Sequence, residues 1–499
     1  MEREHLFANC LKKDCKIIKI YVKIFELLAG IKNCQVFGDK NIDIKKLTFD
    51  SRKVEKGSMF FCIDGTKVNG KIYAIDAIKN GAVCIVTSQK QSLQIVQIVV
   101  KDVRKAMAKM SANFFGNPQK ALQIVGITGT NGKTSTSYIL AEMLQSFGKN
   151  VGVIGTSGIF FGGKKYPANL TTPDSIELFE IFAKMRDCGT QVCVMEVSAH
   201  SIFFKKIYGI KFFAKILTNV KTDHLDFFKT QRRYESVKMH FFSSGKNFVA
   251  NGDDNVGKQI ANVHKKKTLT FGMGKDCDYQ IQIKMMSIVQ SQFDVVNQKD
   301  AFCFQTNLVG ECNIFNFVAS LIVLQKFGVD IKKLTKEQQN FMLPGRFDVK
   351  KFKKGNIVID YAHTTSSVET LFKTIKSVSA HRCIAVIGAP GERETEKRFL
   401  FGKIAGKFCD VVVVTTDNPA SEHPRRIMFE IASGVKTTNA KCLLIEDRQK
   451  AIKKAIQIAP QNTNILIVGK GSEDYQIFGD KKIGYSDYKV VEKILKNKK

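Results

Sequence analysis

Tryptophan is absent from the 499 residues and proline numbers only 8, while Lys, Ile, Phe and Asn are abundant. The skew is that of an AT-rich coding sequence, with lysine standing in for arginine and glutamine on solvated surfaces. No stretch reaches the roughly 18 consecutive apolar residues of a membrane helix, so membrane insertion is not expected. The opening MEREHLFANCLKKDCKIIKI scatters charge through its apolar residues, so a secretory leader is not expected either. The 13 cysteines form no C-x-x-C pair. An odd, unpaired set argues against a disulfide framework or a zinc site and for reduced core cysteines in a cytosolic protein. Internal repeats and low-complexity tracts are also missing.

Composition is globular, with 44% hydrophobic and 25% charged residues. The length suggests roughly three domains. A formal net charge of +32 invites a nucleic-acid reading. The lysines are spread along the chain, however, and no basic strip with interleaved stacking aromatics is evident, so no nucleic-acid partner is expected. A basic surface still attracts phosphorylated, carboxylate-bearing substrates.

Residues 1–21 read as an extension. Residues 22–118 alternate short strands (LTFDSR, SMFFCI, AVCIVT) with helical stretches, and FFGNP closes them as a linker. Residues 119–343 open with the strand QIVGIT, a glycine-rich loop and the 3.6-periodic helix TSTSYILAEMLQSFG; further apolar strands follow. Residues 344–499 hold five apolar runs (NIVIDYAH, CIAVIGAP, DVVVVTTDNP, KCLLIED and NILIVGKGSED), each ending in polar or glycine residues. The class is α/β, with a central P-loop ATPase-like parallel sheet and a Rossmann-like third domain. Ligands of such sheets bind at the carboxyl ends of the strands.

The loop, GITGTNGKTST from Gly126, departs from the G-x-x-x-x-G-K-S/T template: Gly126 falls one place early and Gly129 interrupts the spacer. Strand, G-T-N-G-K-T, then helix is nevertheless the setting in which backbone N–H groups and a helix dipole hold phosphate. Lys133 then neutralises the terminal phosphates and Thr134 offers a hydroxyl to magnesium. Glu196 ends the strand of VMEVSAH, where a second metal ligand belongs. Asp223, His224 and Asp226 crowd into four residues, and Lys238 follows among the apolar helix positions Tyr234, Val237, Phe241 and Phe242. A lysine so placed is costly unless paired or modified; the alternative is that it snorkels to the surface.

Taken together, TGTNGKTST, EVSAH, TNVKTDHLDF with YESVK, LVGECNIFN, LPGRFDV, IDYAHT and DNPASEHP resemble the Mur ligases, specifically the MurE type. The resemblance runs from about Val22 to the end, and G-T-N-G-K-T is that family's own form of the loop. It implies a cytosolic, monomeric, ATP- and Mg2+-dependent ligase of peptidoglycan synthesis. Such an enzyme adds the third stem residue, meso-diaminopimelate or L-lysine, to UDP-N-acetylmuramoyl-L-alanyl-D-glutamate through an acyl phosphate. Thr128, Gly129, Thr130, Asn131, Gly132, Lys133 and Thr134 would cradle ATP, with Asn313 and Asn316 at the adenine and Arg346, Asp360 and His363 from the third domain. Glu196, His224 and a carbamylated Lys238 would join Thr134 at the metal, and Lys133, Glu196, His224 and Lys238 are the catalytic set. Phe49, Ser51, Thr66, Lys67 and Val68 in the first domain, with Thr171, Thr172, Ser198 and Lys206, would bind the nucleotide-sugar peptide. Arg393, Asp417, Asn418, Pro419, Ala420, Gly469 and Glu473 would receive the amino acid.

Several positions depart from the family pattern. Lys206 stands where arginine is usual, Phe204 where glutamine is common, Ser472 where histidine is usual and Cys312 where phenylalanine is usual; the loop at Gly391 is poorer in glycine. Ala420 replaces the arginine of D-N-P-R, which marks diaminopimelate-adding members and grips the far carboxylate. Arg425, Arg426 and His423 are the nearby candidates to replace it. Two rival readings remain: a folylpolyglutamate synthase-like ligase, which lacks the FDSR domain, and a degenerate nucleotide-binding protein.

Overall fold

The structure, a computed structural model, describes residues 21–65, 69–335, 337–392 and 395–496. Residues 1–20 of the expected extension, together with Thr66, Lys67, Val68 and Arg393, lie outside the described residues. The chain divides into two compact units. One runs to Thr270 and takes in Ile322–Val329; the other holds Phe271–Leu321 and the chain from Asp330.

The first unit contains two large sheets and the short antiparallel pair Val22–Lys23 with Asp43–Ile44. The N-terminal sheet has the order Cys34–Phe37, Val96–Val100, Ala82–Thr87, Ser58–Phe61, Lys46–Thr48, parallel except for its first strand. Helix Val103–Phe114 covers one face, burying Ala106, Met107, Met110 and Phe114 against Met59, Phe61, Val86 and Ile98. Asp102 caps it by accepting the Lys105 N–H at 3.0 Å, which satisfies one of the first-turn donors left without a helical acceptor. The expected linker ends this helix at Phe114. Gly116 and Asn117 take left-handed backbone, and Pro118 opens a short turn.

Part of the central sheet follows, in the order Lys164–Tyr166, Gly158–Phe161, Val151–Gly155, Val192–Glu196, Gln123–Thr128, Ala214–Leu217, Phe248–Asn251. The last five of these strands are parallel and buried on both faces, which is why they read as unbroken apolar runs instead of alternating ones. Register sets Glu196 beside Ile127 and Leu217 beside Thr128. The ends of three neighbouring strands therefore meet at one edge.

In the second unit, Tyr279–Met286, Ser291–Val296 and Ala301–Thr306 form an antiparallel meander that the sequence reading did not anticipate. Ala301–Thr306 alternates exposed and buried residues, the mark of a strand with one solvated face. The six-stranded sheet has the order Asp348–Phe352, Gly355–Asp360, Thr463–Val468, Arg382–Ile387, Val411–Val414, Lys441–Leu444. The five expected runs are its parallel strands, and Asp348–Phe352 adds an antiparallel edge. Separate apolar clusters pack its two faces, one around Phe372, Phe401 and Ile431, the other around Ile452, Ala455 and Val491. Among the described residues every cysteine is free, and no helix is long and apolar enough to cross a membrane.

Candidate active site

The phosphate loop links strand Gln123–Thr128 to helix Lys133–Ser146. Gly132 precedes the helix with φ of 86°, a left-handed conformation that strains any side-chain-bearing residue. Gly129 is required for space: a Cβ there would lie 1.9 Å from the Thr218 hydroxyl. The early Gly126 is not part of the cradle. A Cβ on it would strike the rings of Phe212 and Phe241 at 2.7 Å, so it makes room for aromatic packing beneath the strand. Residues 218 and 219 brace the loop from the next strand. The Thr218 hydroxyl donates to Asn131 O at 2.6 Å, Asn219 Oδ1 accepts from Asn131 N at 3.0 Å, and Asn219 O accepts from Thr130 N at 2.8 Å. Lys133 Nζ lies on the loop itself, donating to Gly129 O and Thr130 O at 2.8 and 2.9 Å.

Glu196 joins the loop to the rest of the cleft. It is 1% exposed. Its Oε1 accepts from the Thr134 hydroxyl at 2.9 Å and from Thr156 N at 3.0 Å, and its Oε2 accepts from the Thr156 hydroxyl at 3.1 Å. Thr156 in turn meets the Thr171 hydroxyl at 3.0 Å. A hydrogen-bonded chain thus runs from the Thr134 hydroxyl through the Glu196 carboxylate and the Thr156 hydroxyl to Thr171. Gly155 clears the path, since a Cβ on it would stand 2.1 Å from Glu196 Oε1. Among the described residues the donors that hold this buried carboxylate are neutral, and the carboxylate–hydroxyl pair is the hard oxygen donor set that suits Mg2+. Thr172 donates to Glu196 O at 2.9 Å and accepts from Ser198 N at 3.1 Å, so both expected peptide contacts sit beside it.

Helix Gln231–Phe241 carries Lys238, which is 1% exposed, with its ammonium 4.8 Å over the Tyr234 ring. Burial first, and the nearby Lys133 second, hold its pKa well below the usual lysine range, against the opposing pull of Asp223 and Asp254. The snorkelling alternative is thereby ruled out. Tyr234 reaches the loop, its hydroxyl 3.2 Å from that of Thr130. His224 has φ of 53°, lies 3.4 Å from Asp223 and packs edge-on to His200 with ring centres 5.0 Å apart. Burial lowers the pKa of His224, with Lys133 and Lys238 adding to the effect against Asp223 and Asp226. Lys133, His224 and Lys238 therefore act on one another as neighbours.

On the substrate side, Lys206 pairs with Asp174 at 3.0 Å. Burial raises the pKa of Glu177, opposed by Lys53, two residues after Ser51, and by Lys206. Ser51 begins the short turn Ser51–Lys53, and Phe49 packs against the first-domain core. Arg104 stacks 4.6 Å over Phe204 and donates to Asp64 O at 2.8 Å, so the departure at Phe204 gives an arginine its platform.

In the second unit, Asn313 donates to Val309 O at 3.0 Å and Asn316 to Asn313 Oδ1 at 3.4 Å; both are buried. Asp360 accepts from Phe347 N and Ala362 N, each at 2.7 Å. Burial raises its pKa, opposed by Arg346 and those two amides. Arg346 lies 4.3 Å over the Tyr361 ring, and His363 Nδ1 is 3.0 Å from Tyr361 O. Among the residues expected to receive the amino acid, the fully buried Lys470 reaches Asp417 Oδ1 at 3.3 Å, Asn418 Oδ1 at 3.0 Å and Glu473 Oε2 at 2.9 Å. Gly469 lies against Asp417, and the backbone of Pro419 against Gly391. Of the candidates to replace the missing arginine, Arg425 pairs with Glu446, Arg426 pairs with Glu430, and His423 accepts the Arg425 N–H as a helix cap.

Family models match the chain in three stretches: "Mur ligase family, catalytic domain" over 43–117, "Mur ligase middle domain" over 127–324 and "Mur ligase, glutamate ligase domain" over 345–471. The chain belongs to the Mur ligase family. Mur ligases are ATP-dependent ligases that form a peptide bond. Among the relatives of this Mur ligase is the UDP-N-acetylmuramoyl-L-alanyl-D-glutamate--2,6-diaminopimelate ligase of Clostridium perfringens, 38% identical over 484 residues and covering 95% of this chain and 99% of the relative. The corresponding ligase 1 of Clostridium acetobutylicum is 36% identical over 482 residues, with the same two coverages. A solved structure of such a diaminopimelate ligase superposes with a TM-score of 0.67 at 26% identity, covering 96% of this chain and 99% of the other. A folylpolyglutamate synthase of Mycobacterium tuberculosis, 15% identical, shares the fold over 72% of this chain.

Thr156, Thr218, Asn219 and Lys470 were not singled out in the sequence. Thr156 and Thr218 each follow a strand end, the signal that did identify Glu196. Lys470 lies hidden between Gly469 and Gly471.

Proposed function

We infer that this Mur ligase joins a diamino acid to the D-glutamate of UDP-N-acetylmuramoyl-L-alanyl-D-glutamate, consuming ATP. The observation that carries the reading is the hydrogen-bonded chain from Thr134 through Glu196 and Thr156 to Thr171. It links the phosphate end of the cleft to the residues proposed for the peptide. The substrate's side-chain carboxylate attacks the γ-phosphorus of ATP, ADP leaves, and the resulting acyl phosphate is attacked by the amine, releasing phosphate. Such transfer needs positioning and charge neutralisation. Lys133 supplies the cation at the loop, and the substrate peptide is held by Thr171, Thr172, Ser198 and Lys206.

Mg2+ would be held by Thr134 and Glu196 with His224 and the carbamate of Lys238, and when bound it offsets phosphate charge. Carbamylation requires a neutral amine, and burial, which lowers the Lys238 pKa well below the usual lysine range, favours that form. Asn313, Asn316, Arg346, Asp360 and His363 are further nucleotide contacts in this reading, and Asp417–Ala420, Gly469 and Glu473 receive the amino acid. The proposed domain boundaries, 22–118, 119–343 and 344–499, enclose the three family matches. The enzyme acts in the cytoplasm as a monomer.

The names of the relatives favour 2,6-diaminopimelate as the added residue. A second reading, L-lysine, is favoured by Ala420, which offers a distal carboxylate no charged partner. ADP release is measured with the UDP-dipeptide and each amino acid in turn. Release that requires the UDP-dipeptide and one diamino acid supports the function; ATP hydrolysis indifferent to both overturns it.

A further inference from the structure

A second lysine is buried in the central domain. Lys215, in the strand Ala214–Leu217, is 4% exposed and surrounded by the rings of Phe212, Phe241 and Phe248 at 5.5, 4.6 and 5.8 Å. It makes no ion pair among the described residues, and it is not itself one of the expected ATP, metal or substrate contacts. Its ammonium instead donates to two main-chain carbonyls, Phe241 O and Ser244 O, the latter at 2.6 Å. Phe241 is the last residue of helix Gln231–Phe241, one turn beyond Lys238. The last carbonyls of a helix have no acceptor role within it and carry the negative end of its dipole, so a cation there is doubly favourable.

The helix is thus tied down on both sides of Lys238. One turn before it, Tyr234 bonds to Thr130 in the phosphate loop. One turn after it, Phe241 packs its ring under Gly126 and gives its carbonyl to Lys215. The main chain of Lys215 is itself locked in the sheet, its N–H donating to Asn247 O at 3.1 Å. The same strand continues into Thr218 and Asn219, which brace the loop. A single strand therefore references both the phosphate cradle and the helix end.

We propose that Lys215 is a positioning residue for Lys238: it fixes the C-terminal end of helix Gln231–Phe241 to the central sheet, so that the Lys238 amine stands where carbon dioxide adds and the carbamate is used. The inference rests on the carbamate reading of Lys238. Lys215→Met keeps the length and apolar stem and removes the donors, leaving Phe241 O and Ser244 O without this partner. Lys215→Arg keeps a cation at the helix end.

The test is ADP release in bicarbonate-depleted buffer, titrated with bicarbonate, for wild type, Lys215→Met and Lys215→Arg. Lys238→Ala and the Lys215→Met/Lys238→Ala double variant are assayed alongside, both supplied with formate as a free carboxylate. The bicarbonate needed for half-maximal activity rises about tenfold or more in Lys215→Met and stays closer to wild type in Lys215→Arg. Formate-supported activity of Lys238→Ala is changed little by adding Lys215→Met, because the carboxylate is no longer tethered to the helix. An unchanged bicarbonate requirement in Lys215→Met overturns the proposal. So does an equal fractional loss in the formate-supported background, which identifies a general packing role. Wild-type activity indifferent to bicarbonate overturns the carbamate reading and this inference with it. If Lys215→Met does not fold, a Lys215→Arg enzyme that binds ADP normally but needs as much extra bicarbonate as that expected of Lys215→Met overturns the positioning role of the cation.

Discussion

Ala420→Arg puts an arginine into the proposed amino-acid pocket, and the backbone that would carry it is held at both ends of the residue. Ala420 N donates to Ile477 O at 3.2 Å, and Ala420 O accepts from Gly479 N at 2.8 Å. Its φ of 51° is left-handed, a strain that arginine shares with alanine, so the exchange adds little backbone cost. The new guanidinium leaves a pinned backbone two residues from Asn418, whose side chain Lys470 and Glu473 already hold. A charge-assisted bond to the far carboxylate of meso-diaminopimelate contributes about 1.5–3 kcal/mol. That corresponds to roughly a tenfold to 150-fold gain in preference. L-Lysine has no carboxylate at that end and gains nothing. The assay is steady-state ADP release with saturating ATP and UDP-dipeptide, comparing kcat/KM for the two amino acids in wild type and variant. The expected result is a shift of the ratio toward diaminopimelate within that range, driven mainly by KM. An unchanged ratio would falsify the idea that position 420 reads the distal group.

Lys238→Ala abolishes turnover, and a short carboxylate such as formate restores part of it by occupying the vacated space; full activity without additive refutes the assigned role. Asp487→Asn breaks a fully buried pair in which Arg448 donates to both carboxylate oxygens at 2.9 and 2.8 Å, and losing one partner of such a pair costs about 3–5 kcal/mol. A drop of several degrees in the melting transition is expected, and a melting temperature equal to wild type contradicts it. Burial lowers Lys215 to about 8 from 10.5. Between those values the unfolded chain binds a proton that the folded chain does not, so stability from this group rises with pH; below about pH 8 both states hold the proton and the contribution is flat. Denaturation of wild type against Lys215→Met is expected to show wild type gaining up to roughly 1.4 kcal/mol per pH unit across that window, and parallel curves would count against a buried ammonium.

The order of chemistry-bearing segments was legible in the chain itself. G-T-N-G-K-T after an apolar strand reads as a phosphate cradle because that context aligns backbone donors with a helix terminus. Fully buried parallel strands were readable as unbroken apolar runs, and the five runs of the third domain are indeed its parallel strands. The antiparallel meander was not readable, because its alternation of apolar residues with Gln, Lys and Asp resembles an irregular loop until a neighbouring strand pairs with it. Lys238 was found because a charge in an apolar helix is costly. Lys215 carries the same signal in AKILTNV, but its purpose lies in two carbonyls 26 and 29 residues away, and no local pattern encodes such a partner. Gly126 makes the same point: the sequence shows a glycine out of register with a motif, and only the packed rings of Phe212 and Phe241 explain why a Cβ has no room there. Sequence alone determines residue type and local period, and from these the fold class and the order of chemistry-bearing motifs. Long-range contacts decide which carbonyl, ring or hydroxyl each residue meets, because those partners are brought together only when the sheet closes around them.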